Sequence, residues 1–256
     1  MNLPNIRKLF IPDPGKVIFD VDLSGADAQV VAWEADDDDL KTAFRAGTKI
    51  HAKNAEEIFG TRFTQAAGDI KQKTSPKGRL YDQCKRAVHA TNYGASSFTL
   101  ARTPEIGWTT GESETFQRRW FQLHPGIKDW HRRIDRSLQQ TRSVSNRFGY
   151  RIIYFDRIDQ VFPEALAWVP QSTVAEVCFR GGLALESRCP YVEMLLQVHD
   201  SLVFQIPKEY HHAARHREMQ EALRVVVPYD DPLVIPWGFT SSETSWGDCA
   251  PLKIAA

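Results

Sequence analysis

Charge of one sign is what this chain lacks: 32 Lys and Arg stand against 32 Asp and Glu in 256 residues, a formal net charge of zero. That balance disfavours a protein that merely coats nucleic acid through a uniformly basic surface. It leaves room for an enzyme with an acidic centre and a basic cleft, because net charge hides distribution. Long apolar runs are missing as well. No stretch reaches about 18 apolar residues and no signal-peptide pattern occurs, which points to a soluble, intracellular protein. Cysteine is scarce: Cys84, Cys178, Cys189 and Cys249 lie far apart without a Cys-x-x-Cys pair. Reduced thiols are therefore expected, not disulfides or a zinc site.

The length suffices for a sizeable core, as one large domain or two intimate subdomains. Charge is segregated along it. Lys71, Lys73, Lys77, Arg79 and Lys85 crowd one window against Asp69 and Asp82, whereas residues 34–39 are almost all acidic. The acidic run reads as a solvated helix end.

Two stretches carry acids where apolar strands are expected to end. From Leu195 to Ile206, two apolar, β-favouring runs flank His199-Asp200-Ser201, the pattern of a hairpin with those residues at its turn. A carboxylate at the tip of a buried hairpin is costly unless a cation meets it. An Asp that only closes an Asx-turn is the alternative. In Lys16-Val17-Ile18-Phe19-Asp20-Val21-Asp22-Leu23-Ser24, period-two geometry puts Asp20 and Asp22 on one face and Val21 and Leu23 on the other. Two strands that each deliver a carboxylate can hold a pair of Mg²⁺ ions for phosphoryl or nucleotidyl transfer.

Between them, Arg79 to Tyr93 reads as one helix closed by Gly94, with Lys85, His89 and Tyr93 on a single face. An ordinary mixed face is the plain reading. A lysine beside a stacking ring also suits a nucleoside triphosphate, the ammonium meeting phosphate and the ring covering the base.

These motifs carry a resemblance. Asp22-Leu23-Ser24-Gly25-Ala26-Asp27 resembles the first palm motif of the family A (DNA polymerase I-like) DNA polymerases, and Gln197-Val198-His199-Asp200 resembles the third. Lys85-Arg86-Ala87-Val88-His89-Ala90-Thr91-Asn92-Tyr93-Gly94 resembles the fingers helix that receives the incoming nucleotide. The similarity runs from Asn2-Leu3-Pro4-Asn5 almost to the C-terminus.

The resemblance implies template-directed DNA synthesis, with dNTPs and a DNA primer–template as partners. Asp22 and Asp200, helped by the Leu23 carbonyl, would bind two Mg²⁺ (or Mn²⁺). Lys85 would stabilise the transferring phosphate, His89 would pack on base or sugar, and Tyr93 would stand at the base of the nascent-pair pocket. Asp27 would obstruct a 2′-hydroxyl. Gln171 would lie against the minor groove, whose acceptors every correct pair shares. His199 would brace the hairpin or contact the primer end, and Arg147 and Arg151 would lie near the template–primer. Asp20, on the same strand face as Asp22, is a possible third ligand or a buried acid behind the ligands.

Several positions depart from the family pattern. Tyr81 stands where an Arg is usual, which leaves the β- and γ-phosphates to Arg79 or Arg86. His89 replaces a Phe or Tyr, Asp27 a Glu, Gln29 an Arg, and Lys49 the acid before Ile50-His51. Ser201 replaces a Glu and is shared with phage-type single-subunit RNA polymerases, so RNA synthesis is an alternative, as is a binding subunit without catalysis. The family's thumb and exonuclease-like domain do not fit ahead of Met1, nor does the arginine that touches the primer end. A minimal or split polymerase, with another chain supplying thumb or exonuclease, is the expectation. The Leu23-Ser24-Gly25 variant resembles phage-type members, hence the cytoplasm of a bacterium or of a virus-infected cell.

The remaining periodicity predicts helices after Ala26, from Lys49 to Gly60, from Glu112 to Gln122 and from Gly126 to Gln140, with Trp120, Phe121 and Trp130 in the core. Residues 65–77 read as a mobile loop. A long helix spans Ala165 to Ser187, and an amphipathic one from Lys208 to Val225 exposes His211, His212 and His216. The expected fold is α/β (α+β): a palm whose antiparallel sheet comprises the Asp22 strand, an Ile152–Phe155 strand, the hairpin and a Val234–Phe239 strand, with helical fingers inserted. Its divisions are 1–40 (palm), 41–142 (fingers) and 143–256 (palm and tail).

Overall fold

The computed structural model describes residues 5–252, so the Asn2-Leu3-Pro4 part of the resemblance lies outside the described residues. The chain forms two compact units. One comprises the residues up to Ala26 together with those from Ser172 onward, and the other is Asp27–Gln171. Both expected boundaries, at 40 and 142, fall inside the second unit. The actual partition cuts through the helices Ala26–Glu34 and Ile158–Arg188.

The first unit holds a five-stranded antiparallel sheet, in the order Glu193–Val198, Ser201–Pro207, Lys16–Leu23, Trp237–Ser242, Ala250–Pro251. Lys16–Leu23 is its centre. Val17, Ile18, Phe19, Val21 and Leu23 are buried, while Asp20 is half-buried and Asp22 exposed, so the two acids do share the wetter face. Phe19 stacks on Phe204 of the next strand, ring centroids 5.2 Å apart. Gly181 and Gly182 let the long helix lie close to the sheet: a Cβ on Gly181 would stand 3.2 Å from the Trp237 ring.

The sheet corrects three expectations. Arg151–Ile153 is too short to present a buried face, and pairs with Ser143–Ser145 in a separate two-stranded ribbon, leaving Phe155 89% exposed. The Val234–Phe239 strand is split at Pro236, which has no N–H to give a ladder. Leu233–Val234 pairs with Val226–Val227, and Trp237–Ser242 joins the sheet. The hairpin is buried on its inner strand alone. Its outer strand is a sheet edge, with a bulge between Met194 and Leu196 and with Leu195 and Leu196 40% and 37% exposed.

The histidine cluster also differs. The helix is only Ala213–Ala222, and His216 is buried, its Nε2 3.3 Å from His211 Nδ1. Both rings pack on Phe19 at 5.5 and 5.8 Å, so they form a packing contact in place of a solvated helix face.

The second unit is mainly helical. Its Pro76–Asn92 helix begins three residues earlier than expected, because Ser75 caps it by accepting from the Gly78 N–H and Pro76 occupies its first turn. Gly94, at φ +78°, ends it. The 65–77 loop is tied together internally: Ser75 Oγ donates to the Asp69 carbonyl, and Gly78 packs so closely on the Gln72 carbonyl that a Cβ has no room. Trp120 and Trp130 are buried, with Trp120 Nε1 donating to Asn92 Oδ1 at 2.9 Å. Phe121 is only half-buried, under the Lys128 ammonium.

The acidic run is a solvated helix end only in part: Asp36, Asp38 and Asp39 are exposed, whereas Glu34 and Asp37 are buried. Asp37 caps the helix Asp38–Arg45 and pairs with buried His124 at 2.9 Å, and the Glu34 carboxylate, also buried, meets Arg147 at 3.3 Å. The run sits at a junction between two helices, where these carboxylates serve as caps and counter-ions. No helix among the described residues is long and apolar enough to cross a membrane.

Candidate active site

In the first unit, sheet register brings the predicted carboxylates together. Asp22 lies opposite Ser201 on the neighbouring strand, and the Leu23 N–H donates to the Asp200 carbonyl at 3.1 Å. The two-residue turn places His199 at φ +55°, a region that non-glycine residues rarely adopt. Asp22, Asp200, Asp20, His199, Ser201 and Thr240 line one cleft, and among the described residues Arg7 is the only Lys or Arg lining it.

The electrostatics of this cleft are those of crowded negative charge. Partial burial, then the charges of Asp200 and Asp20, then a hydrogen bond shared with Asp200 push the Asp22 carboxyl up to about 6; Arg7 only partly offsets this. Asp20 is different, because it is committed to protein partners. Its Oδ2 accepts from Trp246 Nε1 at 2.6 Å and pairs with Arg7 at 3.6 Å. Asp22 and Asp200 form a donor set of hard oxygens under mutual repulsion, which fits a hard divalent cation. Asp20 meets those partners through Oδ2, while its buried Oδ1 has no hydrogen-bond partner among the described residues.

The second unit carries the other predicted cluster. Lys85 and His89 are exposed and Tyr93 half-buried on the Pro76–Asn92 helix and its cap, with the His89 and Tyr93 rings 4.5 Å apart, edge to face. Lys85 has no ion-pair partner among the described residues. Burial, and then the charge of Asp27, push the Tyr93 phenol upward, so it stays protonated at neutral pH. Although His89 is exposed as a residue, the atoms packed around its ring desolvate it and hold it below its ordinary value, with Lys85 acting the same way and Asp27 opposing. His51, pushed down to about 4 by burial, Lys85 and His89, is neutral as well, and its ring meets Tyr81 at 6.2 Å.

Of the remaining predicted residues, Arg86 is tied to Asp82 at 2.7 Å, while Arg79 is exposed and has no ion-pair partner among the described residues. Arg147 is engaged by Glu34, Arg151 donates to Ser143 Oγ at 3.1 Å, and Gln171 is exposed on the long helix. Arg7, Trp246 and His51 were missed as site residues. For Arg7 and Trp246 no local signal exists, since they meet Asp20 only through the folded sheet.

One further group has metal-like spacing: Asp37, Asp39 and His124. Its charges already have partners, His124 on Asp37 and the Lys53 ammonium 2.5 Å from Asp39.

The chain is similar to known proteins over nearly its whole length. The sequence profile of DNA polymerase family A matches residues 2–242. The thermostable DNA polymerase I of Thermus filiformis is 29% identical over 245 residues, covering 91% of this chain and 28% of its own length. DNA polymerase I of Geobacillus stearothermophilus is 29% identical over 216 residues, covering 80% of this chain and 23% of its own length. Among solved structures, the POL domain of Pol1 from M. smegmatis, in complex with DNA primer-template and dNTP, superposes with a TM-score of 0.78 at 21% identity, covering 95% of this chain and 42% of that one. The fold is therefore shared, and the chain spans less than a third of those two curated relatives.

Proposed function

We propose that this chain, which belongs to DNA polymerase family A, catalyses template-directed transfer of a nucleotide from a dNTP to a primer 3′-hydroxyl. The observation that carries the reading is the Asp22–Asp200 pair, brought together by adjacent strands, where burial and then the charges of Asp200 and Asp20 push Asp22 up to about 6. These carboxylates, with the Leu23 carbonyl, would hold two Mg²⁺ ions. Bound Mg²⁺ supplies Lewis acidity that makes the 3′-hydroxyl a better nucleophile and neutralises charge on the triphosphate.

The chain's own residues then have distinct tasks. Lys85, unpaired and exposed, meets triphosphate charge, and Arg79 is better placed than Arg86 to assist, because Asp82 already holds Arg86. The neutral His89 ring offers a face to base or sugar without adding a charge there. Tyr93, kept protonated beside Asp27, fixes the wall against which a 2′-hydroxyl would clash. His199, at the hairpin tip, contacts the primer end, and Gln171 and Arg151 contact the duplex.

Primer extension tests the proposal. The isolated protein with Mg²⁺, primer–template and four dNTPs extends the primer, and Asp200→Ala abolishes extension while retaining the wild-type circular dichroism. Equal extension by both proteins, or none by a well-folded wild type, overturns the proposal.

A further inference from the structure

Arg7 enters the acidic cleft from a 3₁₀ turn, Ile6–Leu9, near the start of the chain. Its guanidinium carbon lies 4.5 Å from the centroid of the Trp246 ring, and its Nη1 is 3.6 Å from Asp20 Oδ2. That separation is an ion pair and not a hydrogen bond. The stronger bond to Asp20 comes from the indole, at 2.6 Å.

The surrounding frame is built, not incidental. The Trp246 N–H donates to the Phe10 carbonyl at 2.8 Å, Phe10 meets the indole edge to face at 5.6 Å, and Asn5 accepts from the Arg7 N–H at 3.1 Å. Gly247 closes the joint, where a Cβ would stand 2.5 Å from Lys8 Cγ and 2.8 Å from the Lys8 nitrogen.

A guanidinium held over an indole loses little freedom when an anion arrives at its planar fork of N–H donors. The Arg7 side chain is 51% exposed and makes no hydrogen bond among the described residues, so those donors remain open. A counter-ion for Asp20 alone would need none of this, because Trp246 already satisfies the same oxygen. The anion can be identified from the proposed reaction. The cation offered to the triphosphate, Lys85, belongs to the Pro76–Asn92 helix of the other unit. Asp22 and Asp200 are the groups that handle the primer 3′-hydroxyl, and the phosphate nearest that hydroxyl is the last phosphodiester of the primer.

We infer that Arg7, held by Trp246 and Asp20, is a binding site for the 3′-terminal phosphodiester of the primer strand. The inference rests on the polymerase reading, and its test separates the two. Affinity for primer–template is measured without dNTP, across a salt series. One primer is native and one carries a neutral methylphosphonate at its last linkage. Arg7→Gln should weaken binding to the native primer roughly tenfold, as expected when one charged hydrogen-bonded contact is lost. It should also lower the salt slope by about one phosphate contact. The neutral linkage should cost the wild type a similar factor and cost Arg7→Gln nothing more. Arg7→Lys should keep the salt slope and recover only part of the affinity.

Losses from Arg7→Gln and from the methylphosphonate that multiply would overturn the assignment, as would a variant that binds like wild type. Should Arg7→Gln fail to fold, as a thermal melt would show, the neutral linkage read on the wild type decides: indifference to it overturns the site. A wild type that binds no primer–template at all defeats the polymerase reading itself, and this inference with it.

Discussion

An unfolded Asp22 ionises near 3.8, whereas in the folded protein burial and the neighbouring carboxylates raise it to about 6. Between those values the folded chain holds a proton that the unfolded chain has released, so stability falls as pH rises through the window and levels off above it. Asp22→Asn removes the penalty. We expect the metal-free variant to be more stable than wild type above pH 6, by roughly 1 kcal/mol once the exposure of Asp22 is discounted, and equal to it below about pH 4. Chemical denaturation with a chelator present, at several pH values, measures this. A second residue-scale outcome concerns sugar choice. Asp27→Ala should relax discrimination against ribonucleotides in single-nucleotide insertion, and unchanged selectivity would remove Asp27 from that role. At this scale the sequence was most legible where an acid interrupts an apolar strand. Asp22 and Asp200 stand out against apolar neighbours. The partners of Asp20 do not, because Arg7 and Trp246 are ordinary residues until the sheet brings them to it.

At the scale of elements, the hairpin tip concentrates backbone strain. His199 occupies the first position of a two-residue turn at φ +55°, where glycine is at ease. His199→Gly should raise thermal stability by up to about 1 kcal/mol and reduce extension activity, the imidazole being exchanged for an easier turn. Unaltered stability in a thermal melt would mean the turn is unstrained. Helices were read well wherever caps punctuate them: Ser75-Pro76 and Gly94 bracket the Lys85 helix, and His124-Pro125 separates its two neighbours. Strands were read less well. Ile152 and Ile153 look like sheet residues in isolation, and only the absence of a covered face tells them apart from true members.

For the whole molecule, the division into two units predicts separable responses to ligands. Mg²⁺ alone should increase hydrogen-exchange protection in Lys16–Leu23 and in the 193–207 hairpin, and leave Pro76–Asn92 unchanged. A dNTP without Mg²⁺ should protect Pro76–Asn92. Exchange monitored by mass spectrometry on the intact chain reads both, and protection by Mg²⁺ confined to the Asp37–His124 region would place the ion elsewhere. Sequence periodicity suggested an inserted helical unit but not its limits: one limit falls at the first residue of Ala26–Glu34 and the other just after Pro170, inside a helix that runs on past that proline.

The sheet order also sets a timetable. Lys16–Leu23 is made well before the strands that flank it in the sheet, which begin at Ser201 and Trp237. At about 5–20 residues per second, the nascent chain carries this apolar strand unpaired for roughly ten to forty seconds before either neighbour exists. Asp20 and Asp22 are then the only charges within Val17–Leu23, guarding it against premature pairing with other chains. The carboxylate that lines the cleft of the folded protein thus first serves as a solubilising group on an orphan strand.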